Sequence, residues 1–196
     1  MKFKFGPTPE SEEFNPEADG WVIVREPGPG KVQLVAFPIA ILFCFALVYA
    51  YHRLVGLHTL PQPLWKFTPH LMVIGMIIAA VHELIHGVFT PGCGLSNRTS
   101  YGIWPRKFIF YVFYDGEITK YRFLLIQLAP FLILSVLPFS MELIMHWGAL
   151  PIWVLTFFNT LLSLGDLVGA PITMFQIPKG ATVRLNGWWT YWRQPR

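Results

Sequence analysis

Apolar residues are gathered into four long stretches, and polar residues are confined to the chain ends and the segments between the stretches. The apolar stretches cover about residues 32–51, 71–88, 123–145 and 151–175. Each has close to the ~20 residues that an α-helix needs to cross a bilayer core of ~30 Å. The pattern therefore predicts an all-α membrane protein with four transmembrane helices.

The same pattern divides the chain into three parts. Residues 1–31 are a polar tail, residues 32–176 are the membrane domain, and residues 177–196 are a tail rich in basic and aromatic residues. Within the first tail, residues 21–26 are predicted to form a short strand, which Pro-Gly-Pro-Gly at 27–30 ends. We expect both tails to lie outside the bilayer.

One polar segment between stretches has a pattern of its own. Residues 107–114 are rich in β-prone aromatic and branched residues, and Asp115-Gly116 is a typical hairpin turn before residues 117–121. The 107–121 segment is explained equally well as a small cytoplasmic β-hairpin and as an amphipathic interfacial segment with aromatic anchors. Both interpretations place it near the membrane surface.

Composition and charge support the membrane assignment. Hydrophobic residues make up 54% of the chain and charged residues 13%, whereas soluble domains carry about 25% charged residues. Thirteen of the 15 Lys and Arg residues lie in the tails and in the segment after the second stretch, and the other two are Arg53 and Lys66. The positive-inside rule then predicts a multi-pass protein of the cell membrane with both termini in the cytoplasm. The net charge of +4 reports this topology, and we expect no nucleic-acid partner.

Three acidic residues lie inside the apolar stretches, where an ionised side chain costs about 2.5–3.5 kcal/mol and indicates a function. They are Glu83, Glu142 and Asp166. Glu142 lies near the outer end of the third stretch, where snorkelling or capping explains it. Glu83 and Asp166 lie deeper and require partners.

Glu83 is part of His82-Glu83-Leu84-Ile85-His86, an HExxH sequence in a segment that is expected to be helical. Spacing of i, i+4 places His82 and His86 on one face of a helix, one turn apart. Two neutral imidazoles in this arrangement can bind Zn²⁺, and the adjacent carboxylate can accept a proton from water. The motif predicts a zinc site with Glu83 as the catalytic base.

A catalytic zinc ion usually has three protein ligands, and depth in the membrane selects the third. The second stretch is entered near residue 68 and the fourth near residue 151, both from the outer side, so His82, His86 and Asp166 lie at similar depths of ~21–27 Å. We therefore predict Asp166 as the third ligand. Asn159 lies on the same helix face two turns earlier, which suits contact with a substrate carbonyl or a developing oxyanion.

These residues resemble a bacterial family of membrane zincin peptidases, which is similar to the site-2 intramembrane metalloproteases. The resemblance rests on His82–Gly87, on the basic aromatic segment that follows, and on residues 159–166, and it covers roughly residues 71–192. It implies zinc ligation by two His and an Asp, a Glu base and an Asn near the substrate. Site-2 proteases typically have Leu-Asp-Gly around the third ligand, whereas this chain has Gly165-Asp166-Leu167.

The sequence thus predicts zinc-dependent peptide-bond hydrolysis within or next to the membrane. The expected partners are the lipid bilayer and a membrane-protein or membrane-proximal peptide substrate. The alternatives are a catalytically inactive membrane protein that binds metal or acts as a scaffold and, ranked last, a metal transporter. The presence of Glu83 argues against the inactive protein, because metal binding alone does not need that carboxylate.

Overall fold

A computed structural model describes residues 1–11, 14–17, 19–54, 68–107 and 109–194. Its helices are α1 (Lys31–Leu54), α2 (Thr68–Phe89), α3 (Lys120–Phe131), α4 (Leu137–Met145), α5 (Leu150–Leu162) and α6 (Leu164–Gln176). A π-helical segment, Leu132–Val136, joins α3 to α4. Its strands are β1 (Lys2–Phe5), β2 (Val22–Ile23), β3 (Thr99–Trp104), β4 (Ile109–Tyr114), β5 (Ile118–Thr119), β6 (Thr182–Asn186) and β7 (Trp189–Arg193).

In the part of the chain that the structure describes, three helical segments are long and apolar enough to cross a membrane: α1, α2 from His70 onward, and the continuous run from α3 to α4. They match the first three predicted stretches. Much of their surface is apolar and exposed, and α1 buries only Ala36 and Tyr51 in the protein. Such surfaces suit contact with lipid, so the helices are compatible with a membrane protein. The predicted outer loop at residues 55–67, with Lys66, lies outside the described residues.

The prediction of an all-α protein with four spans is wrong. The fourth predicted stretch is two 13-residue helices, α5 and α6, which meet at 53° around Ser163. The Ser163 hydroxyl donates to the carbonyl of Asn159 at 2.8 Å. Local side-chain bonds of this kind compete with the helical ladder and often bend helices. Neither half alone is long enough to cross a bilayer, and the two count as one broken span only when they are taken together.

The described residues also form seven strands in two sheets, so the protein is not all-α. One sheet has the order β1-β3-β4, with β1 parallel and β4 antiparallel to β3. The other is antiparallel with the order β2-β7-β6-β5. The predicted strand at residues 21–26 is confirmed for Val22–Ile23. The two tails supply four of these seven strands, β1, β2, β6 and β7.

The hairpin considered for residues 107–121 has its first strand in the structure, but that strand has a different partner. Residues Ile109–Tyr114 form a strand, but they pair with Thr99–Trp104 across a 3₁₀ turn instead of with residues 117–121. The reason is the start of α3: the Thr119 hydroxyl accepts a hydrogen bond from the Arg122 N–H and caps the helix. Only Ile118–Thr119 remain extended, and they join the other sheet.

Both sheets lie at one end of the helices. A core cluster of Val24, Ile118, Phe123, Ile177, Ala181 and Val183 connects the four-stranded sheet to α3 and to the end of α6. The buried Lys120 ammonium donates to the carbonyls of Met174 and Ile177 at 2.8 and 2.5 Å. The Gln176 side chain pairs with the backbone of Arg25, just before α1. The start of α1 and the end of α6 are thereby held together.

Candidate metal centre

Helix α2 places two imidazoles on its buried face. His82 and His86 are 3% and 8% exposed, and their Nε2 atoms are 3.1 Å apart. Their spacing of four residues produces this contact because side chains at i and i+4 lie one above the other on a helix.

Asp166, in the first turn of α6, completes a group of three metal-binding side chains. Its Oδ2 atom is 3.3 Å from Nε2 of both His82 and His86. The ligand atoms of the three residues all lie within 4.8 Å of one another, which makes the group capable of holding a metal ion. The structure thus brings together the three residues that the sequence nominated as ligands.

The three atoms fit a zinc ion by distance and by chemistry. Ligands about 2.0–2.2 Å from a tetrahedral ion lie roughly 3.3 Å from one another, and the observed separations are 3.1 and 3.3 Å. Two imidazole nitrogens with one carboxylate oxygen form a donor set that zinc hydrolases use, with the fourth position open. The donors present therefore suit a catalytic site.

The outer nitrogens of both imidazoles are also bound. Nδ1 of His82 lies 2.9 Å from Oδ1 of Asn159, and Nδ1 of His86 lies 2.7 Å from the carbonyl oxygen of Ile126. Because a carbonyl oxygen only accepts hydrogen bonds, each Nδ1 carries the proton. The lone pair of each Nε2 is then directed toward Asp166, which is the tautomer that metal ligation requires.

Asn159 is fully buried behind His82. Its Nδ2 group donates to the carbonyl of Pro130 at 3.0 Å and to the Ser135 hydroxyl at 2.8 Å. With its oxygen also engaged by His82, the amide is occupied on both sides. This position favours orientation of the imidazole, and the contact with a substrate or an oxyanion stays a prediction.

Glu83 lies beside His82 on the wall of a cavity of about 510 Å³, which is also lined by His86, Asp166 and β4. Its Oε2 atom is buried and accepts no hydrogen bond from the described part of the chain. A carboxylate with an unused acceptor at the edge of such a cavity is free to act on a proton there.

Glu142, the other acid predicted inside an apolar stretch, has a local role. It is 2% exposed, and its Oε1 atom accepts a hydrogen bond from the Gly148 N–H at 2.7 Å, in the turn between α4 and α5. This agrees with the predicted capping function. Its Oε2 atom is buried without a partner among the described residues, and the metal-binding group found there does not include Glu142.

Among the described strands, β4 lies at the edge of its sheet, beside the cavity. Because the Gly6 N–H donates to the carbonyl of Ile103, the polar backbone groups of Ile103 face β1. Its partner across the antiparallel ladder, Phe110, therefore directs its N–H and C=O away from β3. Val112 has the same parity, so both residues present backbone hydrogen-bonding groups to the open edge of the sheet.

Sequence analysis missed two contributors to the site. One is the carbonyl of Ile126, which a backbone contact alone reveals. The other is Gln127, which lines the cavity from α3. A signal for Gln127 was present in the sequence, since it is a polar residue in the third apolar stretch.

A buried group of two His and one Asp, set among apolar helices with a Glu beside it, defines a metal centre of the zincin class. Residues 75–182, more than half of the chain, match the model of a family described as "Putative zincin peptidase", and the chain belongs to that family. Zincins use zinc, which agrees with the donor set. No curated protein and no solved structure matches this chain.

Proposed function

We propose that the protein is a zinc-dependent protease that hydrolyses peptide bonds within or next to the membrane, in the manner of site-2 proteases. The observation that carries the proposal is the His82, His86 and Asp166 group, with Glu83 beside it, in a bundle that contains three apolar helices of membrane-spanning length. A polar cluster of this kind is costly inside a bilayer and is retained for function.

His82, His86 and Asp166 would hold the ion. Bound zinc lowers the pKa of a water molecule toward ~7 and polarises a carbonyl oxygen. Glu83 accepts the proton of the attacking water with its unpaired carboxylate oxygen and then delivers it to the leaving amine. Asn159 and the Ile126 carbonyl hold the two imidazoles in the required tautomer and orientation. Asn159 is thus proposed as a positioning residue.

Cleavage by the purified protein tests this function. Detergent-purified protein is incubated with transmembrane peptides in vesicles, and products are identified by mass spectrometry. We expect Glu83→Gln to lower the cleavage rate by about 10²- to 10⁴-fold, the usual contribution of a general base, with unchanged zinc content. Glu117→Gln is the matched control because Glu117 pairs with Arg193 at the surface. Equal rates for wild type and Glu83→Gln would refute the proposal.

Substrate would be held along β4. A peptide in a transmembrane helix has its backbone groups paired internally, so a protease must unwind it and supply other partners. The outward backbone groups of Phe110 and Val112 offer these partners through β-strand addition. The proposed substrate is therefore a membrane-protein or membrane-proximal segment in extended form.

For topology, we propose that both termini lie in the cytoplasm. The supporting observation is that β2, from the first tail, pairs with β7, from the last, so both tails lie on the same side of the helices. The basic residues are concentrated in these segments. Reporters fused at residue 196 and within residues 55–67 should give opposite readings. Identical readings would contradict the orientation.

A further inference from the structure

Gln127 lies on the wall of the metal-site cavity. It belongs to α3 and lines the cavity together with Glu83, His86 and Asp166. The residue before it, Ile126, contacts His86 through its carbonyl. Gln127 therefore directly follows the residue whose carbonyl orients His86.

The Gln127 amide has unused hydrogen-bonding capacity. Its Oε1 atom is buried and has no partner among the described residues. Gln33, another amide of the cavity wall, donates to the Lys107 carbonyl at 2.6 Å, and Gln176 pairs with the Arg25 backbone through both of its amide atoms. A buried amide oxygen without a partner is costly in an apolar helix. Because Gln127 lines the cavity, this amide can turn to pair with a ligand that enters it.

The facing helix leaves space for this amide. Gly169 lies three residues after Asp166 on α6, one turn further along the same face. A Cβ atom at residue 169 would lie 2.8 Å from Nε2 of Gln127. Glycine at this position thus allows the amide to reach the cavity beside Asp166.

We propose that Gln127 binds the main chain of the peptide substrate next to the metal site. An amide side chain has one acceptor and two donors, so it complements the N–H and C=O of one peptide unit. An extended substrate held on one side by β4 still has backbone groups on its other side, and these need partners in a dry site. Gln127 supplies them, as a substrate-binding residue that is tolerant of side-chain sequence. The inference rests on the proposed protease function.

The test compares Gln127→Met with Leu125→Met, a control at an exposed position of the same helix. The probe is a synthetic Leu/Ala-rich peptide of about twenty residues with a central Asn-Gly pair, in detergent. Its cleavage is measured with active protein, and its Kd is measured in the Glu83→Gln background. Gln127→Met should raise KM and Kd by roughly 3- to 30-fold, as expected for one or two neutral hydrogen bonds. The zinc content and the control should not change.

Gly169→Ala provides a second, independent perturbation, since it displaces the amide without removing it. It should also raise Kd, and combining it with Gln127→Met should add little, because both changes remove the same contact. Additive effects would contradict the inference.

The outcomes separate this inference from the protease function. Cleavage by the parent with an unchanged KM in Gln127→Met would overturn the role of Gln127 and leave the function intact. Binding without cleavage would overturn the function, and the Kd comparison would still decide the role of Gln127. A probe that the parent does not bind would overturn the proposed recognition of the peptide main chain.

Discussion

Replacing Asn159 by Leu should weaken zinc binding without altering any of the proposed ligands. Leu is similar in size to Asn but cannot accept the hydrogen bond from Nδ1 of His82. Loss of such an outer partner typically lowers metal affinity 10- to 100-fold, which corresponds to about 1.4–2.8 kcal/mol.

The surroundings of Asn159 place the expected loss in the upper half of that range. Asn159 is 0% exposed and His82 3% exposed, so water cannot easily replace the missing acceptor. The contact is short, at 2.9 Å. We therefore expect a loss of about 30- to 100-fold in zinc affinity. The fold should also lose stability, because the carbonyl of Pro130 loses its donor, which typically costs about 1–3 kcal/mol.

Chelator competition on purified protein measures the affinity, and two variants separate orientation from stability. Asn159→Asp keeps an acceptor for His82 and should stay within about 3-fold of wild type. Ser135→Ala removes a partner of the Asn159 amide but leaves His82 bound, so it should lower stability more than zinc affinity. Wild-type affinity in Asn159→Leu, or equal losses in Asn159→Leu and Asn159→Asp, would refute the positioning role.

Three further predictions follow from the same structure. Alanine at any proposed ligand should sharply lower the zinc content from about one ion per chain, as measured by atomic emission; the positions are His82, His86 and Asp166. Val112→Pro should reduce cleavage at unchanged zinc content, whereas Phe3→Pro, at the opposite free edge of the same sheet, should not. Burial raises the pKa of Glu26 above 4.5 despite hydrogen bonds from Thr190, so its stability contribution is lost as pH rises through that pKa. Glu26→Gln should therefore raise Tm at pH 7 and not at pH 4.

The ligand group could be predicted because its determinants are local or depend on depth alone. His82 and His86 follow from helical periodicity. Asp166 follows from counting residues into two apolar stretches, since each helical residue rises ~1.5 Å. The structure places all three side chains together. The outer partners could not be predicted in the same way, because Asn159 and Ile126 reach the imidazoles from helices whose packing the sequence does not display.

The pairing of strands into two sheets could not be predicted, for a different reason. Val22 pairs with Trp192, and Lys2 pairs with Ser100, so the partners lie far apart in the chain. Short strands gain most of their stability from such partners, and their local patterns are weak. The 107–114 segment could be recognised as a strand, but its partner could not. Residues 117–121 were the expected partner, and the helix cap at Thr119 makes most of them unavailable. The strand pairs with Thr99–Trp104 instead.

The bend between α5 and α6, which the apolar pattern concealed, gives the site its geometry. Asn159 contacts Nδ1 of His82, and Asp166 contacts Nε2 of the same ring. Asn159 belongs to α5 and Asp166 to α6, so the two contacts reach opposite nitrogens of one ring from the two sides of the 53° bend. A straight fourth span would suit membrane crossing, but the broken one lets a single stretch of chain orient His82 from one edge and complete the metal-binding group at the other.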